Sequence, residues 1–274
     1  MTELPFKAVA VDMDGTFEND NRHYDKEKFK KILDQLRAHG AHFIAASGRP
    51  AARLAKDFAG FTDRVDLVAD NGGALIRDEK VVKTNCFTRD SVLKMIHVIQ
   101  DKFPEALPYT LVSAIKHTYC LESLPQDREE MMSFYYPNTV RIKDFENIPD
   151  DQYTKITLSY KYTIGQKIAD EFNKISSQKV HFSSSGFENI DLVLEGVNKA
   201  IGLKELLNYL DVSPTETIAF GDNENDVEML KMVGYSYAMA NGTDQAKAAA
   251  KYEAPSNNDE GVFKVLEEYL NNAE

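Results

Sequence analysis

The sequence predicts an α/β protein, a doubly wound parallel sheet into which a second, α+β domain is inserted. Three observations carry this. Short β-rich apolar runs alternate with amphipathic segments over residues 1–83, and the same rhythm returns over 190–274. The stretch between, 84–189, is rich in Tyr, Ser and Lys and alternates less regularly, as an inserted domain does.

Taken in order, Ala8-Val9-Ala10-Val11 is short and apolar and stops at a cluster of acids, the pattern of a buried parallel strand ending in a loop. A helix follows over 25–39, because Phe29, Ile32, Leu33 and Leu36 fall on one face and Gly40 supplies the stop. Residues 42–46 form a second strand that ends at Ser47-Gly48-Arg49-Pro50. A helix then runs through Phe58, and a third strand over 66–69 leads to Asn71-Gly72-Gly73. In the inserted stretch, Lys155-Ile156-Thr157-Leu158-Ser159-Tyr160 alternates like a half-exposed antiparallel strand. Late in the chain, Ala200, Ile201, Leu203, Leu206, Leu207 and Leu210 give an amphipathic helix. A strand over 217–220 ends at Gly221-Asp222 and precedes a helix over 225–232. Another strand, 235–239, ends at Asn241-Gly242, and a last helix carries Val262, Val265, Leu266 and Tyr269.

With 274 residues and a net charge of -12, the chain lacks the basic surface that nucleic acid demands. A small phosphorylated ligand is compatible with that charge, because a bound divalent cation reverses the local field. No apolar run approaches the roughly 20 residues needed to cross a bilayer. The first residues, with Glu3 and Pro5, lack a basic start and a long apolar stretch, so no signal peptide is expected and the cytoplasm is the expected compartment. Cys86 and Cys120 lack metal-type spacing and are expected to be free thiols.

Open parallel sheets bind ligands beyond the carboxyl ends of their strands. That rule gathers Asp12, Asp14, Ser47, Asn71, Asp222 and Asp226 into one candidate cleft. Each Asp alone suits an N-cap or a turn, but several acids and a hydroxyl on one sheet edge are poorly explained as caps. Asp12 and Asp14 share a face in extended chain, and two adjacent carboxylates call for a cation or a proton between them. Gly15 lets the backbone turn sharply beside them. Asp222-Asn223-Glu224-Asn225-Asp226 adds oxygen donors, a set suited to Mg²⁺. Lys199 offers positive charge for a phosphate, although alone it reads as a solvated lysine at a helix start.

These residues resemble the haloacid dehalogenase-like superfamily of phosphohydrolases, and within it the Cof-type subfamily with a large inserted cap. Its DxDGT motif is matched by Asp12-Met13-Asp14-Gly15-Thr16, its post-strand Ser/Thr by Ser47, its helix-start lysine by Lys199, and its GDxxND by Gly221-Asp222-Asn223-Glu224-Asn225-Asp226. Asn71-Gly72, Asn241-Gly242 and Asn257-Asn258-Asp259-Glu260-Gly261-Val262 resemble further subfamily turns. Two places depart: Thr16-Phe17-Glu18-Asn19-Asp20 stands where DGTLL is usual, and Asn198-Lys199-Ala200 where Ser-Lys-Gly is common.

The resemblance implies a Rossmann-like core with an α+β cap, and a phosphatase of small phosphorylated metabolites. It implies Asp12 as nucleophile and Asp14 as general acid/base. Mg²⁺ would be held by Asp12, the Asp14 carbonyl and Asp222 with support from Asp226, and the transferring oxygens by Ser47, Gly48, Lys199 and Asn225. Arg49, Asn71, Ser185 and Glu188 are candidate substrate contacts. A phosphomutase keeps the same motifs and is the nearest alternative. A receiver-type phospho-acceptor module is about half this length, and a non-catalytic binder would have no need of both carboxylates at the first motif.

Overall fold

The computed structural model describes residues 3–160, 164–184 and 189–273. The first part of the core comprises β1 (Ala8–Val11), α1 (Lys26–Ala38), β2 (His42–Ala46), α2 (Ala51–Asp57), β3 (Val65–Ala69), β4 (Ala74–Arg77) and β5 (Lys80–Thr84). The insertion carries α3 (Arg89–Lys102), β6 (Thr110–Ala114), β7 (Thr118–Leu121), α4 (Glu129–Tyr135), β8 (Thr139–Ile142), β9 (Tyr153–Ser159), α5 (Gly165–Ile175), β10 (Val180–Ser184) and β11 (Asn189–Leu194). The chain then returns through α6 (Lys199–Leu210), β12 (Thr217–Gly221), α7 (Val227–Met232), β13 (Tyr235–Met239), α8 (Asp244–Ala249), β14 (Tyr252–Ala254) and α9 (Gly261–Ala273).

The core sheet has the order β14-β13-β12-β1-β2-β3-β4-β5. It is parallel from β14 to β3, and β4 and β5 extend it as an antiparallel hairpin the sequence reading did not anticipate. From β1 the chain winds outward through β2 and β3, and from β12 it winds the other way through β13 and β14. The order therefore reverses between β1 and β12, which opens a crevice at their carboxyl ends.

Both faces of this sheet are covered, so β1 is apolar throughout and buried at every position. Alternation sorts its side chains. Val9 and Val11 join Phe29, Ile32, Leu33 and Leu36 of α1 and the apolar face of α9, while Ala8 and Ala10 meet Leu203, Leu206 and Leu207 of α6. Asp25 caps α1 by accepting from the N–H groups of Glu27 and Lys28. Phe17, just past the first motif, sits 5.1 Å from the Phe29 ring and 5.3 Å from that of Phe263, which pins the loop to the core.

The second sheet has the order β10-β11-β9-β6-β7-β8 and is antiparallel except between β7 and β8. Two expectations are corrected here. The sheet continues through β11 to Leu194, beyond the boundary expected at 189, because Asn189 to Leu192 pair with Ser159 to Ile156. And β9 is buried at all seven positions rather than half exposed. Its Ile156 and Leu158 pack with apolar residues of α3 and α5. Its Lys155 and Thr157 are buried because they bond to each other's partner Asp191, and Lys155 reaches the core as well. Cys120 is buried in β7 and Cys86 half-buried, both as free thiols. Among the described residues no helix is long and apolar enough to cross a membrane.

Candidate active site

The crevice gathers the first and last motifs. Asp12 leaves the end of β1 and is 5 % exposed; Lys199 opens α6 and is 1 % exposed. Lys199 Nζ donates to Asp12 Oδ1 at 2.6 Å and to Asp226 Oδ1 at 2.7 Å, so it is a buried bridge and not a solvated helix-start lysine. Asn198 caps α6 by accepting from the Ile201 N–H at 2.8 Å, the task a Ser would perform at that position. Asp226 is wholly buried, and its Oδ2 accepts the N–H groups of Asp222 and Asn223, both at 3.1 Å. Gly221 is required there: a Cβ would lie 2.5 Å from that of Asp226.

Carboxylate oxygens of Asp12, Asp222 and Asp226 lie within 4.8 Å of one another. Burial pushes the Asp12 carboxyl well above its usual range, against the pull of Lys199. Burial also disfavours the Lys199 ammonium, but Asp12 and Asp226 outweigh it and hold the amine above its ordinary value. The ionised form of Asp12 thus depends on positive charge beside it. Asp222, on which Thr16 Oγ1 donates at 2.7 Å, is pushed up to about 6 by burial and by the charge of Asp226.

Asp14 belongs to a second cluster. Arg49 grips it with two bonds, Nε to Oδ2 at 2.9 Å and Nη2 to Oδ1 at 2.7 Å, and Tyr135 Oη donates to Oδ1 at 3.1 Å. Burial would raise this carboxyl, yet the guanidinium and the phenol together hold it below its ordinary value. Arg49 also meets Glu18 and Asp57, each at 2.7 Å, and is 3 % exposed. Arg49, a candidate substrate contact by sequence, is a buried arginine serving three carboxylates, and it lines the cavity beside Asp14.

Ser47 is buried, and its Oγ accepts the Arg49 N–H at 3.2 Å. Asn71 is a candidate substrate contact by sequence. In the fold it is buried, its amide donating to Asp191 Oδ2 at 3.3 Å and its Oδ1 accepting from Asn225 Nδ2 at 3.4 Å. Gly48 lies against it, since a Cβ there would come within 3.2 Å of the Asn71 amide. Asn241 Nδ2 donates to the Gly15 carbonyl at 2.8 Å, and Asn257 holds both Asn241 and the Glu18 carbonyl, so the later Asn-rich turns brace the first loop. The candidate contacts Ser185 and Glu188 lie outside the described residues.

A cavity of about 70 Å³ opens between the sheets, with Asp12, Asp14, Ser47, Gly48, Arg49 and Asn225 on the core side. The insertion supplies Tyr135, Tyr136, Lys155 and Asn189, none of which the sequence reading picked out. A lysine and an aspartate of opposite charge within apolar strands, Lys155 before Ile156 and Asp191 between Ile190 and Leu192, were the available signal.

A family model for haloacid dehalogenase-like hydrolases matches residues 9–266. The 5-amino-6-(5-phospho-D-ribitylamino)uracil phosphatase YbjI of Escherichia coli K12 is 30% identical over 268 residues, covering 97% of each chain. A crystal structure from Streptococcus mutans UA159 superposes with a TM-score of 0.89 at 32% identity, covering 97% of this chain and 99% of its own. A subclass IIB sugar phosphatase of the superfamily shares the fold at a TM-score of 0.77 and 20% identity, covering 96% of this chain and 98% of its own. With the motifs in order along the crevice and the family matched over nearly the whole chain, this protein belongs to the Cof-type haloacid dehalogenase-like hydrolases and is a phosphatase.

Proposed function

We propose that this phosphatase passes the phosphoryl group of a small phosphorylated metabolite first to Asp12 and then to water, with Mg²⁺ as its metal. One observation carries the reading: Asp12 stands on Lys199 at the sheet's switch point, with Asp222 and Asp226 beside it and Asp14 held two residues on.

The donor set fits a hard divalent cation. Three carboxylates converge, all with oxygen donors, and Lys199 is the cation bonded among them. Both Asp226 oxygens are already engaged, so Asp12, Asp222 and the Asp14 carbonyl would hold the ion and Asp226 would orient its neighbours. Bound Mg²⁺ supplies the charge that lets an anionic phosphate approach an anionic carboxylate.

Asp12 attacks phosphorus, the bond to the ester oxygen breaks, and its electron pair leaves with that oxygen, which takes a proton from Asp14. Water then attacks phosphorus, gives its proton to Asp14, and Asp12 is regenerated as the carboxylate. Ser47, Asn225 and Lys199 would bind the transferring oxygens. Arg49 and Tyr135 favour ionised Asp14, the form needed by the second step. The first step needs its proton, so the entering ester has to weaken one of those contacts.

In an assay with an aryl phosphate and Mg²⁺, Asp12→Asn should lower kcat by roughly 10³-fold or more. Substantial turnover by a folded Asp12→Asn protein would sink the nucleophile assignment. The name of the Escherichia coli relative makes 5-amino-6-(5-phospho-D-ribitylamino)uracil the first metabolite to test. It should be ranked by kcat/KM against sugar phosphates, pyridoxal phosphate and nucleotides. Release of inorganic phosphate without a bisphosphate activator separates hydrolysis from mutase chemistry.

A further inference from the structure

We propose that Lys155, carried by the inserted domain, is a positioning residue that aims the Ser47 hydroxyl at the phosphoryl group. The inference rests on the reading of Ser47 as a phosphate-binding donor.

Lys155 is 2 % exposed, and its Nζ donates to the Gly48 carbonyl at 2.7 Å across the boundary between the two sheets. That carbonyl belongs to the peptide joining Gly48 to Arg49. The N–H of the same peptide donates to Ser47 Oγ at 3.2 Å. In a trans peptide the C=O and N–H point in opposite directions. Fixing the carbonyl on Lys155 therefore fixes the N–H on Ser47. A hydroxyl whose oxygen accepts that N–H keeps its own proton for another acceptor, and the cavity beside it is where the transferring oxygens would sit. With the peptide turned over, the Gly48 carbonyl would face Ser47 Oγ and take that proton instead.

The rest of the turn is held from the core. The Ser47 carbonyl accepts the Asn71 N–H and the Arg49 carbonyl the Asp70 N–H, both at 3.0 Å. Lys155 thus acts on the Gly48 carbonyl, the one between these two. Lys155 is itself set by Asp191 Oδ2 at 3.1 Å, with Asp70 Oδ1 at 3.8 Å, and Thr154 beside it donates to Asp70 Oδ2 at 2.9 Å. The ammonium also polarises the peptide it holds, which strengthens the opposite N–H as a donor. The phosphate half of the cleft is complete only when the inserted domain sits on the core.

Removing Lys155 alone leaves Asp191 buried without its cation, so the test pairs Lys155→Met with Asp191→Asn and checks that the double variant melts cooperatively near the wild type. Turnover of an aryl phosphate and inhibition by orthovanadate are measured with Mg²⁺. Ser47→Ala should lower kcat by roughly 10²-fold, the loss of one aimed donor. The Lys155→Met/Asp191→Asn protein should lose about 10-fold in kcat and weaken orthovanadate by a similar factor. Combined with Ser47→Ala, it should add less than about twofold, because both changes remove one interaction. Lys155→Arg, which keeps a donor, should recover part of the loss. Multiplying factors in the combined variant would overturn the proposal and make Lys155 a leaving-group contact or a purely structural ion. A Ser47→Ala protein with wild-type kcat would overturn both the proposal and the reading of Ser47, and that result is visible in the single variant.

Discussion

Gly15→Ala measures how tightly the first and last motifs are fitted together. An ideal Cβ at Gly15 lies 2.6 Å from Asp222 Oδ2 and 3.0 Å from its Cγ. To clear it the Asp222 carboxylate must withdraw by at least roughly 0.5 Å, which is the tolerance of a preorganised site. The movement also strains the 2.7 Å bond from Thr16. In addition the residue has φ +75, in the left-handed region, where a side chain adds about 1–2 kcal/mol. The variant should therefore lose about 1–3 kcal/mol in urea unfolding. Its kcat at saturating Mg²⁺ should fall by roughly 10-fold, since a misplacement of about 1 Å costs roughly 10²-fold. Hydrolysis of an aryl phosphate over a Mg²⁺ titration reads both. A folded variant with kcat within about threefold of wild type, and an unchanged Mg²⁺ midpoint, would refute the reasoning, since no 1.36 kcal/mol step in the barrier would then exist.

Two further outcomes follow from buried charge. Asp66, in β3 away from the cleft, is pushed up to about 6 by burial despite Arg77. A raised acid contributes stability that is complete below its unfolded value of about 4 and lost as pH rises through 6, a loss of about 3 kcal/mol at neutral pH. Asp66→Asn should then gain stability at about pH 8 and little at about pH 4 in urea melts, and an equal gain at both would contradict the assignment. Arg49→Lys replaces a fork on Asp14 by a point charge and cannot reach Glu18 and Asp57 together. Loss of buried partners should lower stability by about 2–3 kcal/mol, with kcat reduced alongside; stability within about 0.5 kcal/mol of wild type would show the grip to be dispensable.

The core was legible because its signals are local. Period and length mark β1, α1, β2 and α6, and Asp25 and Gly40 mark where α1 starts and stops. The first-loop acids could be placed because β1 ends at them. What stayed hidden is pairing over distance. Lys155 meets Gly48 across 107 positions and Tyr135 meets Asp14 across 121, and no periodicity encodes either. For the same reason β9 reads as half exposed: its polar side chains are those a wet face would carry, and only the partners Asp191 and Gly48 make them a buried one. Lys199 was recognised by motif, but its burial depends on Asp12 and Asp226 arriving from other strands.

The departure of Thr16-Phe17-Glu18 from the family's usual continuation bears on the electrostatics of the site, because it places a carboxylate on Arg49. Phe17 keeps the apolar anchor, filling the space among Phe29, Phe43 and Phe263. Glu18 does something a leucine there could not. It is 3 % exposed, and its Oε2 lies 2.7 Å from the same Arg49 Nη2 that holds Asp14 Oδ1. Burial drives the Glu18 carboxyl up, and Arg49 opposes it. The guanidinium is thus divided among Asp14, Glu18 and Asp57, while Arg53 reaches only the last of these, at 2.5 Å. Asp14 and Glu18 sit on the same guanidinium nitrogen and repel each other there. Asp14 is the most exposed of the three, and on the proposed mechanism it is the one that surrenders a contact to act on a substrate. On that mechanism Asp57 and Glu18 keep Arg49 itself in place when Asp14 lets go.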